Sequence, residues 1–510
     1  EAAAVLVQGR TLVGMSEVRV HRWLAVDSGP VSLEITADAR PGGMVKVRII
    51  EPSAPEKGTV AEGEMRLAEG YAPRPEPRPL DLVGARPYKL TPPQLYGEAM
   101  FHGPAFRGVQ SIDRVGENGA SATLTALSRD GLFGVRPADG QATDFVLLDQ
   151  PGQVVGFWTS QFLERGFVVL PFRMGALHLY GPSPAAGAQL TCRAQIALVG
   201  DNQVRSDLDV IDADGRLWAR FEAWEDRRFD LPPDAFRALM GASSVRLGSP
   251  WRQSDDAADT GRLIAYRLGL DSFPPGWLHA HGGMWTRVLA GLTLGRRERQ
   301  IWTSLQAPPR RKLEWLLGRI AAKDAVCEYV QRRYHLALRP ADVEILPEPS
   351  GRPVISGHWT RKVSRVPLVS ISHVEGAVIA VLTDGDGISG VGVDLERAGR
   401  MKPGMERVAF APQELEVLGT LNADEQQAWT LRLWCAKEAA AKATGGAVGP
   451  VSGALIVERI DLARGTVLVR CSLPGAAPIS LPVSTACDGE YVVATCIISE
   501  RLHIPEEQTS

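Results

Sequence analysis

The residues in this 510-residue sequence that could do chemistry gather between Val369 and Lys442. The run Gly390-Val391-Gly392-Val393-Asp394-Leu395-Glu396 combines glycine with β-branched residues and reads as a strand. Successive strand side chains alternate faces, so Asp394 and Glu396 point the same way. Two carboxylates on one face repel each other unless a cation lies between them. Further along, Trp434-Cys435-Ala436-Lys437-Glu438-Ala439-Ala440-Ala441-Lys442 is rich in helix formers and sets Glu438 and Lys442 on one helical face. If that helix packs beside the strand, three carboxylates converge with a lysine at their edge. Oxygen ligands that leave room for water and phosphate oxygens suit Mg²⁺, which seldom takes an all-protein cage. The plainer alternative is a solvent-facing strand and a helix surface pair, which would do no chemistry.

Three pieces, Ser372-His373, Gly392-Val-Asp-Leu-Glu396 and Trp434-x-x-Lys-Glu-Ala439, stand in an order and spacing that resembles the 4'-phosphopantetheinyl transferases, of the surfactin-type class built from two similar halves. The resemblance implies transfer of the phosphopantetheine arm of coenzyme A to a serine of an acyl carrier protein, with release of 3',5'-ADP. It implies Asp394 and Glu396 as ligands of Mg²⁺, and Glu438 either as a further ligand or as the base for the serine proton. Lys442 would stabilise charge on the diphosphate, with Lys437 as another candidate. Ser372 and His373 would contact the coenzyme, the histidine donating to a phosphate. Between Arg296 and Arg339 there are eleven Arg and Lys against four Asp and Glu. In the family a basic residue in this region holds the 3'-phosphate, which points to Arg319 and Lys323 in Gly318-Arg-Ile-Ala-Ala-Lys323; composition alone allows an ordinary solvated helix face. Where the family has Gly-Lys-Pro against the coenzyme, this sequence has Gly351-Arg352-Pro353, and arginine binds phosphate through a fork rather than as a point charge.

The first part of the chain reads as half-buried antiparallel strands with turn punctuation. A proline-crowded stretch from Pro73 to Pro93 reads as a linker. His102-Gly-Pro-x-Phe106 and Asp149-x-x-x-Gln153 then resemble the dehydratase domains of polyketide and polyunsaturated fatty acid synthases, which are double hot-dog folds. The resemblance implies a catalytic role for Asp149, aiding loss of a β-hydroxyl while a histidine removes the α-proton. On a helical turn Gln153 shares a face with Asp149 and can orient it; the competing reading is that Asp149 opens a turn before Pro151-Gly152. The family's histidine sits in His-x-x-x-Gly. Here His21 meets Ala25, His102 meets Phe106 and His178 meets Pro182 four residues on, so that histidine is expected upstream of residue 1.

The sequence thus predicts an α+β chain, with a double hot-dog dehydratase-like unit followed by a two-half transferase. The expected boundaries are 1–85 for an incomplete first hot dog, 86–235 for the second, 236–250 for a linker and 251–505 for the transferase. A net charge of −3 gives no field that would favour nucleic acid. Six scattered cysteines without Cys-x-x-Cys suggest packing residues in a reducing compartment. No apolar run reaches the ~18 residues of a membrane span, so no membrane association and a cytoplasmic location are expected. The chain is expected to be part of a larger multidomain synthase that primes its own carrier domains. The alternative is a dehydratase of 3-hydroxyacyl carrier-protein thioesters in a longer parent, with the transferase part a non-catalytic docking scaffold. The missing histidine predicts that the purified chain leaves a 3-hydroxyacyl thioester unchanged; formation of the enoyl product, followed by absorbance or mass spectrometry, would overturn this.

Overall fold

The computed structural model describes residues 2–6, 9–24, 30–88, 90–132, 142–162, 167–239, 245–251, 263–398, 406–446, 449, 453–472 and 477–499. The chain forms two compact units, Glu1–Ala242 and Ser243–Ser510.

In the first unit, alternating apolar and polar residues become β1 (Thr11–Val20), β2 (Glu34–Arg40), β3 (Met44–Ile50) and β4 (Thr59–Ala68). They are followed by β5 (Arg86–Pro87), β6 (Val109–Gly116), β7 (Gly119–Thr125), β8 (Phe167–Leu179), β9 (Gln189–Val199), β10 (Gln203–Ile211) and β11 (Leu217–Asp230). All join one 11-stranded sheet in the order β2-β3-β4-β1-β8-β11-β10-β9-β7-β6-β5. The two expected halves therefore share one sheet, joined where β1 pairs antiparallel with β8. The helix Phe145–Phe162 packs against β6 to β10 and buries Leu147, Val154, Phe157 and Trp158, while the short helix Ala2–Leu6 packs on β2 and β3. A helix against each half of the sheet gives the double hot-dog fold.

The proline-rich segment is not a free linker. Arg74 pairs with Asp212 at 2.6 Å, and the Arg78 amide donates to Asp209 at 2.7 Å, which pins the segment across the sheet. The segment expected as a linker over 236–250 also enters regular structure, because Phe236–Leu239 complete a helix begun at Pro233 and β12 (Ser249–Pro250) pairs with the first long strand of the second unit. Residues 240–244 and the tail after Ser499 lie outside the described residues.

The second unit is built from two sheet-and-helix halves. In the first, β12, β13 (Leu263–Gly269), β16 (Leu368–Val374) and β17 (Ala377–Thr383) form a sheet in the order β12-β13-β17-β16, against which the helix Pro309–Tyr334 lies. β14 (Glu344–Pro347) and β15 (Pro353–Ser356) form a separate hairpin. In the second, β18 (Ile388–Arg397), β19 (Leu455–Asp461), β20 (Thr466–Cys471), β21 (Ile479–Asp488) and β22 (Tyr491–Ser499) take the order β18-β22-β21-β20-β19 and carry the helix Ala423–Ala443. Among the described residues no helix is long and apolar enough to cross a membrane.

The halves meet where β16 lies beside β18. Serine side chains stitch the strands: Ser370 Oγ accepts from the Val393 amide at 3.1 Å and Ser372 Oγ from the Leu395 amide at 3.3 Å. Alternation sends Val391, Val393 and Leu395 into a core with Ile379 and Val381 and turns Gly390, Gly392 and Asp394 toward the helix Ala423–Ala443. A Cβ on Gly392 would stand 1.9 Å from the Ala439 carbonyl oxygen, and one on Gly390 2.0 Å from that of Ala443. Only glycine permits this approach. Gly392→Ala is accordingly expected to destabilise the chain by about 1–3 kcal/mol through overpacking, read as a lower urea midpoint for the second unit; an unchanged midpoint would contradict the close packing.

Candidate active site

The approach of helix to strand places Lys442 on Asp394. Lys442 Nζ donates to Asp394 Oδ1 at 2.7 Å, to Ser372 Oγ at 3.0 Å and to the Val393 carbonyl at 3.1 Å. Ser372 Oγ in turn donates to Asp394 Oδ1 at 2.9 Å. Asp394 is buried, and among the described residues its Oδ2 has no hydrogen-bond partner. A buried carboxylate oxygen without a partner is costly. Glu396 is half-buried two residues on, with Trp434 Nε1 donating to its Oε1 at 3.4 Å. Glu438 lies one turn before Lys442 on the same helix, and burial, then the charge of Asp394 and that of Glu396, raise its carboxyl above the usual range while Lys442 opposes the shift. The charges of Asp394, Glu396 and Lys442 thus all bear on Glu438.

Two expectations change here. Ser372 does not stand free for the coenzyme: it is buried and holds Asp394. Lys442, expected on a diphosphate, neutralises Asp394, for which no other ion pair is found among the described residues. Among the described residues no three acidic, histidine or cysteine side chains stand close enough together to enclose a metal ion as they are. The donor set nevertheless fits a hard divalent cation. Asp394 Oδ2 is unpartnered, the acids are oxygen donors, and Glu438 gives up its proton more readily when a cation replaces the neighbouring negative charge.

The two lysines preceding acids are structural. Lys437 is buried and pairs with Glu414 at 2.9 Å, which also accepts the Ala411 and Val457 amides at 2.7 and 2.8 Å. Lys323 is fully buried and pairs with Glu298, which accepts the Gly295 and Ile345 amides at 2.8 and 3.0 Å. The same constellation recurs in both halves, with the helix lysine locking an acid that caps one segment and anchors a strand. Neither lysine is available to a phosphate, which corrects both assignments. Phe410-x-x-x-Glu414 is structural, with Lys437 Nζ paired to Glu414 and 5.5 Å from the Phe410 ring centroid.

Arg319 is 9% exposed, with its guanidinium 4.5 Å from the Trp315 ring centroid and Nε unpartnered among the described residues. Its helix is buried almost all round, between the sheet and the segments 280–293 and 296–304, so the solvated phosphate contact expected of Arg319 and Lys323 is not found. Exposed arginines lie earlier on that helix. Arg311 donates toward His373 Nδ1 at 3.3 Å, and Arg310, Arg311, Glu314, His373 and Glu375 line one surface concavity. Burial lowers the His373 pKa, and a neutral ring that accepts from Arg311 at Nδ1 carries its proton on Nε2. The local excess of positive charge was legible in the sequence, but which arginines would reach His373 was not. Arg352 sits half-buried in the β14–β15 turn, whose Gly351 has φ +87°.

In the first unit, Asp149 lies inside the helix Phe145–Phe162 rather than opening a turn. Gln153 donates to its Oδ2 at 2.7 Å and to the Phe106 carbonyl at 2.9 Å, and Tyr96 donates to Gln153 at 2.9 Å. The glutamine therefore orients the acid. Five of the six cysteines are buried and free, whereas Cys487 is exposed.

Residues 390–496 match the model of the 4'-phosphopantetheinyl transferase superfamily, and residues 84–232 that of the polyketide synthase dehydratase N-terminal domain. A holo-[acyl-carrier-protein] synthase from Exiguobacterium sp. is 36% identical over 77 residues, 15% of this chain and 60% of that protein. The chain thus spans under two thirds of that relative's length. Among solved structures, the dehydratase domain of PpsC from Mycobacterium tuberculosis has 23% identity and a TM-score of 0.34, covering 45% of this chain and 80% of that one. The dehydratase domain of RzxB from Pseudomonas fluorescens has 19% identity and a TM-score of 0.32, covering 43% and 76%.

If Lys437 is structural, Lys437→Ala strands the Glu414 charge and costs about 3–5 kcal/mol; denaturant unfolding would show this, and an unchanged midpoint with lost coenzyme binding would restore a ligand role. The chain carries a domain of the 4'-phosphopantetheinyl transferase superfamily within residues 390–496, behind a polyketide synthase dehydratase domain within residues 84–232.

Proposed function

We propose that the Ser243–Ser510 unit transfers the 4'-phosphopantetheine arm of coenzyme A to a serine of an acyl carrier protein, within a synthase that also carries a dehydratase domain. The observation that carries this reading is the acid cluster at the β18–helix contact, with Asp394 Oδ2 buried and unpartnered. Asp394 and Glu396 would hold Mg²⁺, whose chemistry there is to neutralise the diphosphate of the coenzyme.

In the reaction, the serine oxygen forms a bond to the β-phosphorus of coenzyme A, the bond from that phosphorus to the bridging oxygen breaks, and 3',5'-ADP leaves with the electron pair. Glu438 takes the serine proton, directly or through water. With a cation beside it Glu438 is held as the carboxylate, the form that accepts a proton. Lys442 keeps Asp394 in place and adds positive charge beside it. Arg311 and the neutral His373 bind a coenzyme phosphate at the surface concavity, and Arg352 adds a further contact from its turn.

Mass spectrometry of apo carrier protein incubated with the chain, coenzyme A and Mg²⁺ tests the reading: loading is expected, and its absence would count against it. Glu438→Gln is expected to lower kcat by about 10²–10⁴-fold, while Arg311→Ala raises KM for coenzyme A by about 10–100-fold with kcat little changed. Glu438 also makes a stability statement. Its folded-state pKa is raised, so the cost of ionising it is absent below the unfolded value and fully present above the folded one. Without Mg²⁺, Glu438→Gln should therefore raise Tm at neutral pH and leave it unchanged in acid; an equal effect at both pH values would contradict this placement.

A further inference from the structure

Among the described residues of the second unit three helix lysines pair with acids, and one pair is built unlike the other two. Lys323 and Lys437 are sealed, with side chains 0% and 3% exposed. Both oxygens of their acids, Glu298 and Glu414, are taken up by the lysine and two backbone amides. The Lys442 side chain, by contrast, is 32% exposed. Its ammonium spends its three donors on Asp394 Oδ1, Ser372 Oγ and the Val393 carbonyl. Asp394 Oδ2 is buried and bare among the described residues. The acid is also held without the lysine, since Ser372, which accepts the Leu395 amide, donates to the same Oδ1. A fixed carboxylate with one bare oxygen, closed by a cation that has a way out to solvent, is an exchangeable pair rather than a pin.

We propose that Lys442 is a resident counter-cation of the Asp394 site: it competes with a divalent ion for the carboxylate and leaves it when that ion binds together with the coenzyme. The inference rests on the transferase reading above. One ammonium neutralises Asp394 but hydrogen-bonds only one of its oxygens, whereas a hard divalent ion takes oxygens from a carboxylate and a diphosphate together. Two cations at one carboxylate repel each other, so the lysine weakens binding of the metal alone. A diphosphate relieves that penalty, because it gives the displaced ammonium another anion to bind. Metal and coenzyme therefore bind cooperatively, and the lysine keeps the ion from settling on Asp394 before the substrate is there. The two sealed lysines have no such freedom, which is why the exchange is confined to the third.

Mn²⁺ binding to the full chain, followed by the electron paramagnetic resonance of the free ion, tests this without turnover. Asp394→Asn identifies the site as the class of bound ion it removes. At that site and without coenzyme A, Lys442→Met is expected to bind Mn²⁺ about 10–100-fold more tightly than the wild type, and Lys442→Arg, which keeps the charge, to stay near the wild-type value. Thermal unfolding gives a second readout: without metal Lys442→Met melts below the wild type, and Mn²⁺ raises its Tm by more than it raises that of the wild type. Mn²⁺ binding by Lys442→Met no tighter than by the wild type, or a Tm gain no larger, would overturn the counter-cation role and leave the metal site standing. Mn²⁺ binding that Asp394→Asn leaves unchanged, with and without coenzyme A, would overturn the transferase reading and this inference with it.

Discussion

The transferase domain depends on a backbone approach that no side chain could survive. β18 offers Gly390 and Gly392 to the carbonyls of Ala443 and Ala439, and the helix Ala423–Ala443 settles onto the strand at a distance set by peptide groups alone. At that distance a lysine on the helix reaches the next residue on the same strand face, Asp394. The alternation of a strand and the turn of a helix then fix the remaining acids without further devices, Glu396 following along the strand and Glu438 preceding Lys442 by one turn. A larger residue at either glycine would separate the strand acids from the helix acid before it changed any of them.

A second constraint keeps the frame rigid enough to hold an unsatisfied carboxylate. Each half of the second unit buries a lysine against an acid that also accepts two backbone amides, Lys323 with Glu298 and Lys437 with Glu414. Buried pairs of this kind add little net stability over apolar packing, but breaking one is expensive. They act as registry pins between helix, cap and strand. The residue after each lysine differs between the halves in its surroundings. Asp324 spends its Oδ2 on the Leu247 and Gly248 amides, whereas Glu438 is left beside Asp394 with its pKa raised. The repeated frame thus ties one of these acids to backbone amides and sets the other beside the Asp394 charge.

Much of this was legible in the sequence, and the part that was not has a common cause. The strand 390–396, the helix ending at Lys442, a helix carrying Arg319 and Lys323 and the pairing of Asp149 with Gln153 all follow from periodicity and residue type. Burial of cations does not. Lys323 and Lys437 lie at helical positions that look solvated when only one packing partner is assumed, and both helices have partners on two sides. Ser372 reads as a ligand contact in a motif but serves as a hydrogen-bond bridge between strands. His102 lacks the expected following glycine, although the fold brings its Nε2 to 3.6 Å from Asp149 Oδ2, a proximity that no linear pattern encodes.

The central claim is that the carboxylates of Asp394 and Glu396, with Glu438 at their edge, form one divalent-cation site at which a coenzyme diphosphate is held. Its most direct test is a crystal structure of the chain with Mn²⁺ and coenzyme A, read by anomalous scattering. A peak in contact with Asp394 Oδ2 and Glu396, bridging to the coenzyme phosphates, is the expected result. A metal bound elsewhere, or a coenzyme whose diphosphate lies away from an Asp394 still closed by Lys442, would contradict it.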